Sequence, residues 1–358
     1  MARRKVLRLG AVAAVRAAAQ PRKKILILGG TGFLGPATVE AAMARGHEIT
    51  LFNRGRTRPG LFPGVEKLHG DRDPKIGEGI QALSGREWDA VIDNSGFYPR
   101  MVSASARLLA PRVKRYVFIS SISVYADNSV EGADETAGLA TIADPTVEEM
   151  GKDSENYGAL KALCERAAEA AMPGRVAVVR PGFIVGPDDP SGRFTYWPVR
   201  IDRGGEILAP GAPGDPIQFV DVRDLGEWLV RIAEDGTTGV FHATGPEKRL
   251  AWGRLLETCR DCASVPGKLT WVDAEFLERQ KDLQFPIWAP YRGDTRGFHT
   301  WKIDRALAAG LRFRPYAATV KDTLAWYKSQ PEGGRLKLAG PAREREAEIL
   351  AAWRKRTP

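Results

Sequence analysis

A phenol that can exchange a proton with a substrate, Tyr157, lies four residues before an ammonium group, Lys161. The stretch from residue 157 to about residue 171 reads as a helix, and a spacing of four places both side chains on one helix face. An ammonium group near a phenol favours the phenolate and lowers a pKa that is about 10 when unperturbed. We therefore expect Tyr157 to exchange a proton with a hydroxyl or carbonyl group of a substrate.

A serine hydroxyl, that of Ser121, follows a predicted strand over residues 116–119. At the carboxyl end of this strand it would hydrogen-bond the same substrate oxygen as Tyr157. Tyr-x-x-x-Lys is common by chance on exposed helices. A catalytic role for the pair is therefore supported mainly by this serine and by the strand pattern around it. The sequence thus predicts a catalytic triad of Ser121, Tyr157 and Lys161.

A glycine-rich turn near the start of the chain predicts a dinucleotide site. The apolar run 25–28 ends in this turn, and a helical pattern follows. Gly29 lets the chain turn off the strand, Gly32 lets the backbone approach a pyrophosphate, and Gly35 lets the helix pack close on the sheet. The free N–H groups at the helix start would then face the phosphates. The predicted cofactor contacts in the turn are Gly29, Thr31, Gly32, Phe33, Leu34 and Gly35.

The end of the second predicted strand, over residues 47–52, bears on the choice of cofactor. An acidic residue at this point would bind the ribose 2′-hydroxyl and indicate NAD. This chain has Asn53 followed by Arg54, and an arginine can accept a 2′-phosphate. NADP is therefore the preferred cofactor and NAD the alternative. The competing interpretation is that Arg54 and Arg56 are only exposed loop charges.

Polar and small residues after the next strands extend the predicted cofactor site. Asp71 would accept a hydrogen bond from the adenine amine, and Ser95 lies in a stretch of small residues that lets the backbone lie against the cofactor. Lys161 would also hold the nicotinamide ribose. The further predicted contacts are Asp71, Arg72, Ser95, Tyr157, Lys161 and Pro181.

The alternation of strand and helix patterns predicts an α/β protein with a doubly wound parallel sheet of the Rossmann type and a smaller C-terminal substrate lobe. We assign residues 21–185 to the dinucleotide-binding domain, with a return segment at 217–245, and residues 186–330 mainly to the substrate lobe. Residues 331–358 are predicted to form a linker and one exposed, charged helix. A chain of 358 residues suits one large domain with a smaller partner.

Composition narrows the classes of partner. The formal charge of +9 is scattered along the chain, which favours a basic surface for anionic ligands over a nucleic-acid partner. No apolar run is long enough to cross a bilayer, so membrane insertion is not expected. Cys259 and Cys262 form a single C-x-x-C, and the four histidines lack metal-ligand spacing, so we assign no metal. The expected partners are a small-molecule substrate and, as an option, a second copy in a homodimer.

The first twenty residues precede the predicted fold and contain a candidate export signal. Arg3-Arg4-Lys5-Val6-Leu7-Arg8 resembles a twin-arginine export signal, and Ala17-Ala18-Ala19 is a candidate cleavage site. Arg16 departs from the pattern. Two interpretations remain open: periplasmic export, which is slightly favoured, and a disordered basic leader on a cytoplasmic protein.

Taken together, these motifs resemble the extended short-chain dehydrogenase/reductases, the NAD-dependent epimerase/dehydratase family. The resemblance runs from about residue 23 to residue 328, and it implies the Ser-Tyr-Lys triad and hydride transfer to or from a secondary alcohol or ketone, such as a sugar or nucleotide sugar. Besides the glycine turn and residues 157–161, it rests on Ser120-Ser121-Ile122-Ser123-Val124-Tyr125, Arg180-Pro181-Gly182 and Phe219-Val220-Asp221-Val222-Arg223-Asp224-Leu225.

Departures from the family pattern limit the expected reaction. Ile122 and Ser123 stand where sugar dehydratases of the family carry an Asp-Glu pair, so elimination of water is not expected. Arg292 matches one of two family arginines that hold a nucleotide-sugar diphosphate, but the other, near Ile217, is missing. Three functions stay open: an oxidoreductase or epimerase, a net NADPH-dependent reductase of an aromatic or isoflavonoid-like substrate, and a catalytically silent RNA-binding or scaffold relative.

Overall fold

The structure is a computed structural model, and it describes residues 21–146 and 148–356. The candidate export signal in residues 1–20 lies outside the described residues and stays a prediction. The strands, in chain order, are β1 (Lys24–Leu28), β2 (Glu48–Asn53), β3 (Glu66–His69), β4 (Trp88–Asp93), β5 (Val113–Ile119), β6 (Val176–Pro181), β7 (Phe183–Val185), β8 (Gly205–Pro210), β9 (Pro216–Asp221), β10 (Gly239–Ala243), β11 (Gly245–Ala251) and β12 (Gly267–Val272).

The α-helices follow the strands in alternation through most of the chain. They are α1 (Leu34–Ala44), α2 (Pro99–Leu109), α3 (Tyr157–Ala171), α4 (Arg193–Asp202), α5 (Val222–Asp235), α6 (Trp252–Asp261), α7 (Ala274–Glu278), α8 (Asp304–Ala308), α9 (Tyr316–Ser329) and α10 (Arg343–Lys355). Within the described ranges, no helix is long and apolar enough to cross a membrane.

Seven strands form one parallel sheet in the order β10-β6-β5-β4-β1-β2-β3. The central strand β1 has four consecutive fully buried apolar residues, from Ile25 to Leu28. Such a run is typical of a strand that is covered on both faces, where alternation of polar and apolar residues is lost. The predicted doubly wound sheet is therefore confirmed.

Two pairs of helices cover this sheet. Helices α1 and α5 pack on one face, where Val39 and Leu225 join one apolar core. Helices α2 and α3 pack on the other, where Val102 and Ala168 join a second core. The close approach of α1 and α5 depends on Gly226, because a Cβ atom there would lie 2.8 Å from the backbone carbon of Ala37.

The smaller lobe contains the three-stranded sheet β11-β9-β7 and the two-stranded sheet β12-β8. Its core includes Trp197 of α4, Trp252 of α6 and Val272 of β12. The predicted return segment 217–245 is only partly correct. Helix α5 and strand β10 belong to the large domain, whereas β9 lies in the sheet of the small lobe.

The C-terminal helix α10 forms where the sequence indicates, but it is not simply exposed. Ile349 and Leu350 are buried in the core of the small lobe. Glu346 is also buried, and its carboxylate accepts hydrogen bonds from Arg200 Nε at 2.5 Å and from the Leu208 backbone N–H at 2.8 Å. The expectation of an exposed helix is wrong for this face, because a buried ion pair and two apolar side chains attach it to the lobe.

Candidate functional site

The glycine turn has the backbone that its sequence predicts. Gly29 has φ +91°, a region that L side chains rarely adopt, as the chain leaves β1. A Cβ atom on Gly35 would lie 2.4 Å from the carbonyl carbon of Gly30, so α1 starts in direct contact with the turn. A Cβ atom on Gly32 would meet nothing within 4 Å, which leaves its backbone accessible to a ligand.

The carboxyl ends of the parallel strands open into a cavity of about 750 Å³. A ligand site is expected at this edge of a doubly wound sheet. The cavity brings together nearly all of the predicted site residues, namely Gly29, Thr31, Gly32, Phe33, Leu34, Asn53, Arg54, Asp71, Arg72, Ser95, Ser121, Tyr157, Lys161 and Pro181.

Two predicted residues do not line this cavity. Gly35 lies behind the turn, where it allows close packing of α1 on the backbone. Arg292 lies on the surface with its Nη1 atom 3.8 Å from Glu275 and 3.5 Å from Glu278. The structure therefore does not bring Arg292 to the catalytic candidates, because acidic side chains near α7 hold it elsewhere.

A short turn after β5 places Ser121 beside the start of α3. The Ser121 hydroxyl accepts a hydrogen bond from the Ser123 N–H at 3.0 Å and caps the 3₁₀ turn Ile122–Val124. Helix α3 packs directly on this turn at Gly158, where a Cβ atom would lie 2.0 Å from the carbonyl oxygen of Ser123. The glycine after Tyr157 therefore allows the close approach of the two segments, a role that the Tyr-x-x-x-Lys spacing does not reveal.

The phenol of Tyr157 is half-buried at the wall of the cavity. Burial raises its pKa above the ordinary value, and the nearby hydroxyl of Ser121 acts in the opposite direction. The phenol is therefore protonated at neutral pH and able to donate its proton.

The ammonium group of Lys161 is hydrogen-bonded to backbone carbonyl groups and does not lower the pKa of Tyr157, although the sequence suggests that it would. Its Nζ donates to the carbonyl oxygens of Gly96 and Ile119, both at 2.6 Å, and lies 4.3 Å from the ring centroid of Phe118. Burial lowers the pKa of Lys161 to about 8. The expected lowering of the Tyr157 pKa by Lys161 is not found, because the ammonium is hydrogen-bonded to the loop after β4 and to the end of β5 instead.

The guanidinium of Arg72 lines the cavity but is largely committed to buried partners. Its Nη1 and Nη2 donate to the two carboxylate oxygens of Asp93 at 2.5 and 2.8 Å, and to the hydroxyls of Ser95 and Ser105 at 3.0 Å each. Although burial acts to raise it, the charge of Arg72 holds the pKa of Asp93 below its usual range. Arg72 thus supports the floor of the cavity, and only its Nε has no partner among the described residues.

Several buried polar atoms on the cavity wall lack a partner within the part of the chain that the structure describes. They belong to Asn53 (Nδ2), to Asn94 (Nδ2 and Oδ1) and to Ser120 (Oγ). Buried polar groups without hydrogen bonds are costly, so these atoms fit a ligand that both donates and accepts. A nicotinamide dinucleotide has such groups along its length. Neither the side chain of Asn94 nor that of Ser120 is predicted from the sequence, since each was only one small polar residue among several.

The loop after β2 places two exposed arginines, Arg54 and Arg56, at the wall of the cavity. Neither side chain forms an ion pair with a described residue. Asn53 stands at the end of β2, and its Oδ1 accepts a hydrogen bond from the Gly55 N–H at 2.7 Å. This part of the cavity therefore has positive charge and no acidic residue at the end of β2, as a 2′-phosphate requires.

A third arginine of the same loop, Arg58, folds back over the glycine turn. Its Nε and Nη2 donate to the carbonyl oxygens of Thr31 at 3.1 Å and Gly32 at 2.8 Å. Its Nη1 forms an ion pair with Asp188, in the loop before α4. Arg58 has φ +42° and Asp188 has φ +70°, so both ends of this bridge adopt an uncommon backbone conformation. No sequence motif indicates this contact, which joins segments 130 residues apart.

These features define a class: an α/β protein whose parallel sheet ends in a glycine turn and in a cavity with a phenol, an amine and hydroxyls on its wall. Residues 79–242 match the model of the NAD dependent epimerase/dehydratase family. The resemblance to this family that the sequence indicated is confirmed, and the family is NAD(P)-dependent.

Relatives and solved structures show what the chain is similar to. It is 25% identical to a 2′-dehydrokanamycin reductase of Streptomyces kanamyceticus over 92% of this chain and 91% of the relative. It is 24% identical to the chloroplast stem-loop binding protein of 41 kDa b of Arabidopsis thaliana over 71% of this chain and 66% of that relative. The fold matches that of the Bordetella bronchiseptica enzyme WbmH in complex with NAD⁺, with a TM-score of 0.60, 19% identity and coverage of 86% and 99% of the two chains.

Proposed function

We propose that this protein transfers a hydride between a bound nicotinamide nucleotide and a secondary alcohol or ketone. One observation carries the proposal: Ser121, Tyr157 and Lys161 line the same cavity as the glycine turn. A site that holds a dinucleotide and a proton-exchanging phenol in one enclosed space supports this reaction class.

The cofactor would be held by residues along the strand ends. The backbone of the glycine turn and the start of α1 suit the pyrophosphate, and the unpartnered atoms of Asn53, Asn94 and Ser120 suit the polar groups of the two nucleosides. When bound there, the nicotinamide ring supplies or accepts the hydride.

Side chains of this protein would donate and accept the proton and stabilise the reacting oxygen. Tyr157, protonated at neutral pH, gives its proton to the carbonyl oxygen that becomes the alcohol, and takes it back in the reverse direction. The Ser121 hydroxyl can donate a hydrogen bond to the same oxygen and stabilise the charge that develops there. Lys161 joins the loop after β4 to the end of β5 through the carbonyls of Gly96 and Ile119, and so keeps the cavity wall in place.

The direction of the reaction that we propose is net reduction, with epimerisation as the alternative. The protonated phenol supports reduction, since reduction of a ketone needs a proton donor at its oxygen. The match over nine tenths of both chains to a protein named 2′-dehydrokanamycin reductase supports it as well. Turnover of a ketone that consumes NADPH in equal amount indicates reduction, whereas isomerisation without net cofactor consumption indicates epimerisation.

The test of the proton donor is a Tyr157→Phe variant. We expect it to bind NADPH as the wild type does, measured by nicotinamide fluorescence, and to lose at least about a hundredfold in turnover across a panel of small ketones. Tyr98→Phe is the matched control, because Tyr98 lies outside the cavity and stacks on Arg100. Full turnover in Tyr157→Phe would remove this residue from the mechanism.

We propose that NADP is preferred over NAD because of Arg54. In an Arg54→Ala variant, affinity for NADPH should fall roughly tenfold while affinity for NADH stays the same, as expected for loss of one charge-assisted hydrogen bond to phosphate. The two affinities are measured by fluorescence titration. An unchanged ratio would mean that the 2′-phosphate is bound elsewhere, with Arg56 as the next residue to test.

RNA binding is the second candidate function, and the stem-loop binding relative is the observation that favours it. RNA binding through a basic surface would weaken steeply as salt increases. If the protein binds a structured RNA in this way and does not bind NAD(H) or NADP(H), the enzymatic proposal fails.

A further inference from the structure

Besides Arg72 and Lys161, which are committed to protein partners, cationic side chains lie at two separate places on the described cavity wall. Arg54 and Arg56 follow β2, whereas Ser121 follows β5, three strands away in the sheet. Neighbouring strands lie about 4.8 Å apart, so the two regions are separated by roughly 14 Å. Arg193, the first residue of α4, lines the cavity in the region of Tyr157 and acts to lower the pKa of that phenol. The cationic groups after β2 and the guanidinium of Arg193 therefore serve different parts of the cavity.

The charge of Arg193 is not neutralised by a contact with an acid. Its side chain is exposed, and its Nε donates to the hydroxyl of Ser191 at 3.0 Å. Within the described residues, no carboxylate oxygen lies within 4 Å of it. The buried carboxyl of Asp189 forms no ion pair with it. Its Oδ1 accepts from the Ser191 N–H at 2.9 Å, and burial raises its pKa against the opposing effects of Ser191 and of the Arg193 charge. Most of the five N–H donors of Arg193 therefore remain available to a ligand.

An aromatic side chain lies beside this guanidinium, and further apolar side chains line the same cavity. Arg193 lies with its central carbon 5.0 Å from the ring centroid of Phe183, and Phe183 packs edge-on against Phe298 with the ring centroids 5.9 Å apart. Phe97 and Met101 also line the cavity. Asp71, which follows β3 at the other side of the sheet, is the single acidic side chain on the described cavity wall. The region near Tyr157 thus combines one available cation with an aromatic surface.

We propose that Arg193 is a specificity-determining residue that binds a carboxylate of the substrate while the reacting carbonyl oxygen lies at Ser121 and Tyr157. The substrate class is then an anionic ketone with an aromatic or apolar body. A planar guanidinium forms two parallel hydrogen bonds with a carboxylate, and the phenylalanine rings cover the apolar part. This inference rests on the proposed function, because it concerns the substrate of the same site.

The experiment uses the full chain saturated with NADPH and two probes that share the same phenyl ketone, benzoylformate with its free carboxylate and its uncharged methyl ester. Binding is followed by the change in nicotinamide fluorescence immediately after rapid mixing, before turnover consumes the NADPH. We expect the wild type to bind the acid roughly ten to a hundred times more tightly than the ester, the range for hydrogen bonds to a charged group. Arg193→Ala should abolish this preference, and Arg193→Lys should retain part of it. Arg260→Ala, at an exposed arginine of α6, is the matched control and should keep it.

Each result separates this inference from the proposed function. If NADPH binds equally to the wild type and Arg193→Ala and only the preference for the acid is lost, Arg193 binds the substrate anion. If NADPH binds but the acid and the ester do not differ in the wild type, including no binding of either, the inference is overturned. A preference that persists in Arg193→Ala, or a loss of NADPH affinity in that variant, overturns it too. Failure of the wild type to bind any nicotinamide nucleotide refutes the proposed function itself.

Discussion

The buried ammonium of Lys161 makes a prediction about how stability depends on pH. The lysine is 3% exposed, and burial lowers its pKa from the ordinary value of 10.5 to about 8. Between these two values the unfolded chain binds more protons than the folded chain, so the free energy of unfolding rises with pH in this window. Above pH 8 the neutral amine still has two N–H donors, enough for the carbonyls of Gly96 and Ile119.

The magnitude follows from the two pKa values. The pKa falls from 10.5 to about 8, which corresponds to roughly 3 kcal/mol that the folded state loses at pH 7 by holding this lysine charged. At pH 10 less than about 1 kcal/mol of this penalty remains. Lys161 should therefore add about 2–3 kcal/mol to the free energy of unfolding as the pH rises from 7 to 10.

A Lys161→Met variant isolates this contribution. The variant leaves two carbonyl oxygens without their donor, at a cost of about 1–3 kcal/mol each that is the same at both pH values. Other titrating groups are common to both proteins, so they cancel in the difference between wild type and variant. We expect that difference, measured by urea denaturation, to shift in favour of the wild type by about 2–3 kcal/mol between pH 7 and pH 10.

Lys321→Met, at an exposed position on α9, controls for the loss of a lysine from a helix surface. If the difference in the free energy of unfolding between wild type and Lys161→Met stays constant from pH 7 to pH 10, the lowered pKa of Lys161 is refuted. It would mean that the ammonium is better solvated or better paired than its burial indicates.

Two further variants test the close packing around the cavity. Gly158→Ala places a Cβ atom against the Ser123 carbonyl, so we expect a loss of about 1–3 kcal/mol in urea denaturation and reduced turnover, while Gly138→Ala, with open space around its Cβ, should change neither. Wild-type stability in Gly158→Ala would show that α3 does not depend on this contact. Arg58→Ala removes the bonds from the loop after β2 to the glycine turn, and NADPH should dissociate about tenfold faster in stopped-flow fluorescence. Asp188→Asn is the control, because it removes the ion pair of Arg58 and leaves the bonds of Arg58 to the glycine turn in place. Equal rates of NADPH dissociation in wild type and Arg58→Ala would contradict a role of Arg58 in retaining the cofactor.

The fold and the location of the candidate site could be predicted because they depend on local pattern. An apolar run followed by glycines and a helical stretch specifies strand, turn and helix whatever lies around them. Polar residues after each strand must meet at one edge of a parallel sheet, since all its strands point the same way. The predicted cofactor residues line one cavity for this reason. Their contacts with a nucleotide, and the roles of the triad, stay predictions.

What the sequence by itself determined is the set of chemical groups and the element that carries each one: the glycines of the turn, the phenol and amine on α3, the serine after β5. Only the tertiary structure decided where those groups point. Lys161 bonds to carbonyls 65 and 42 residues away, Arg72 pairs with Asp93, and Arg58 reaches Asp188. Helical spacing fixes the face on which a side chain lies, but its partner is set by which distant segments pack against that face, and burial there then sets its pKa.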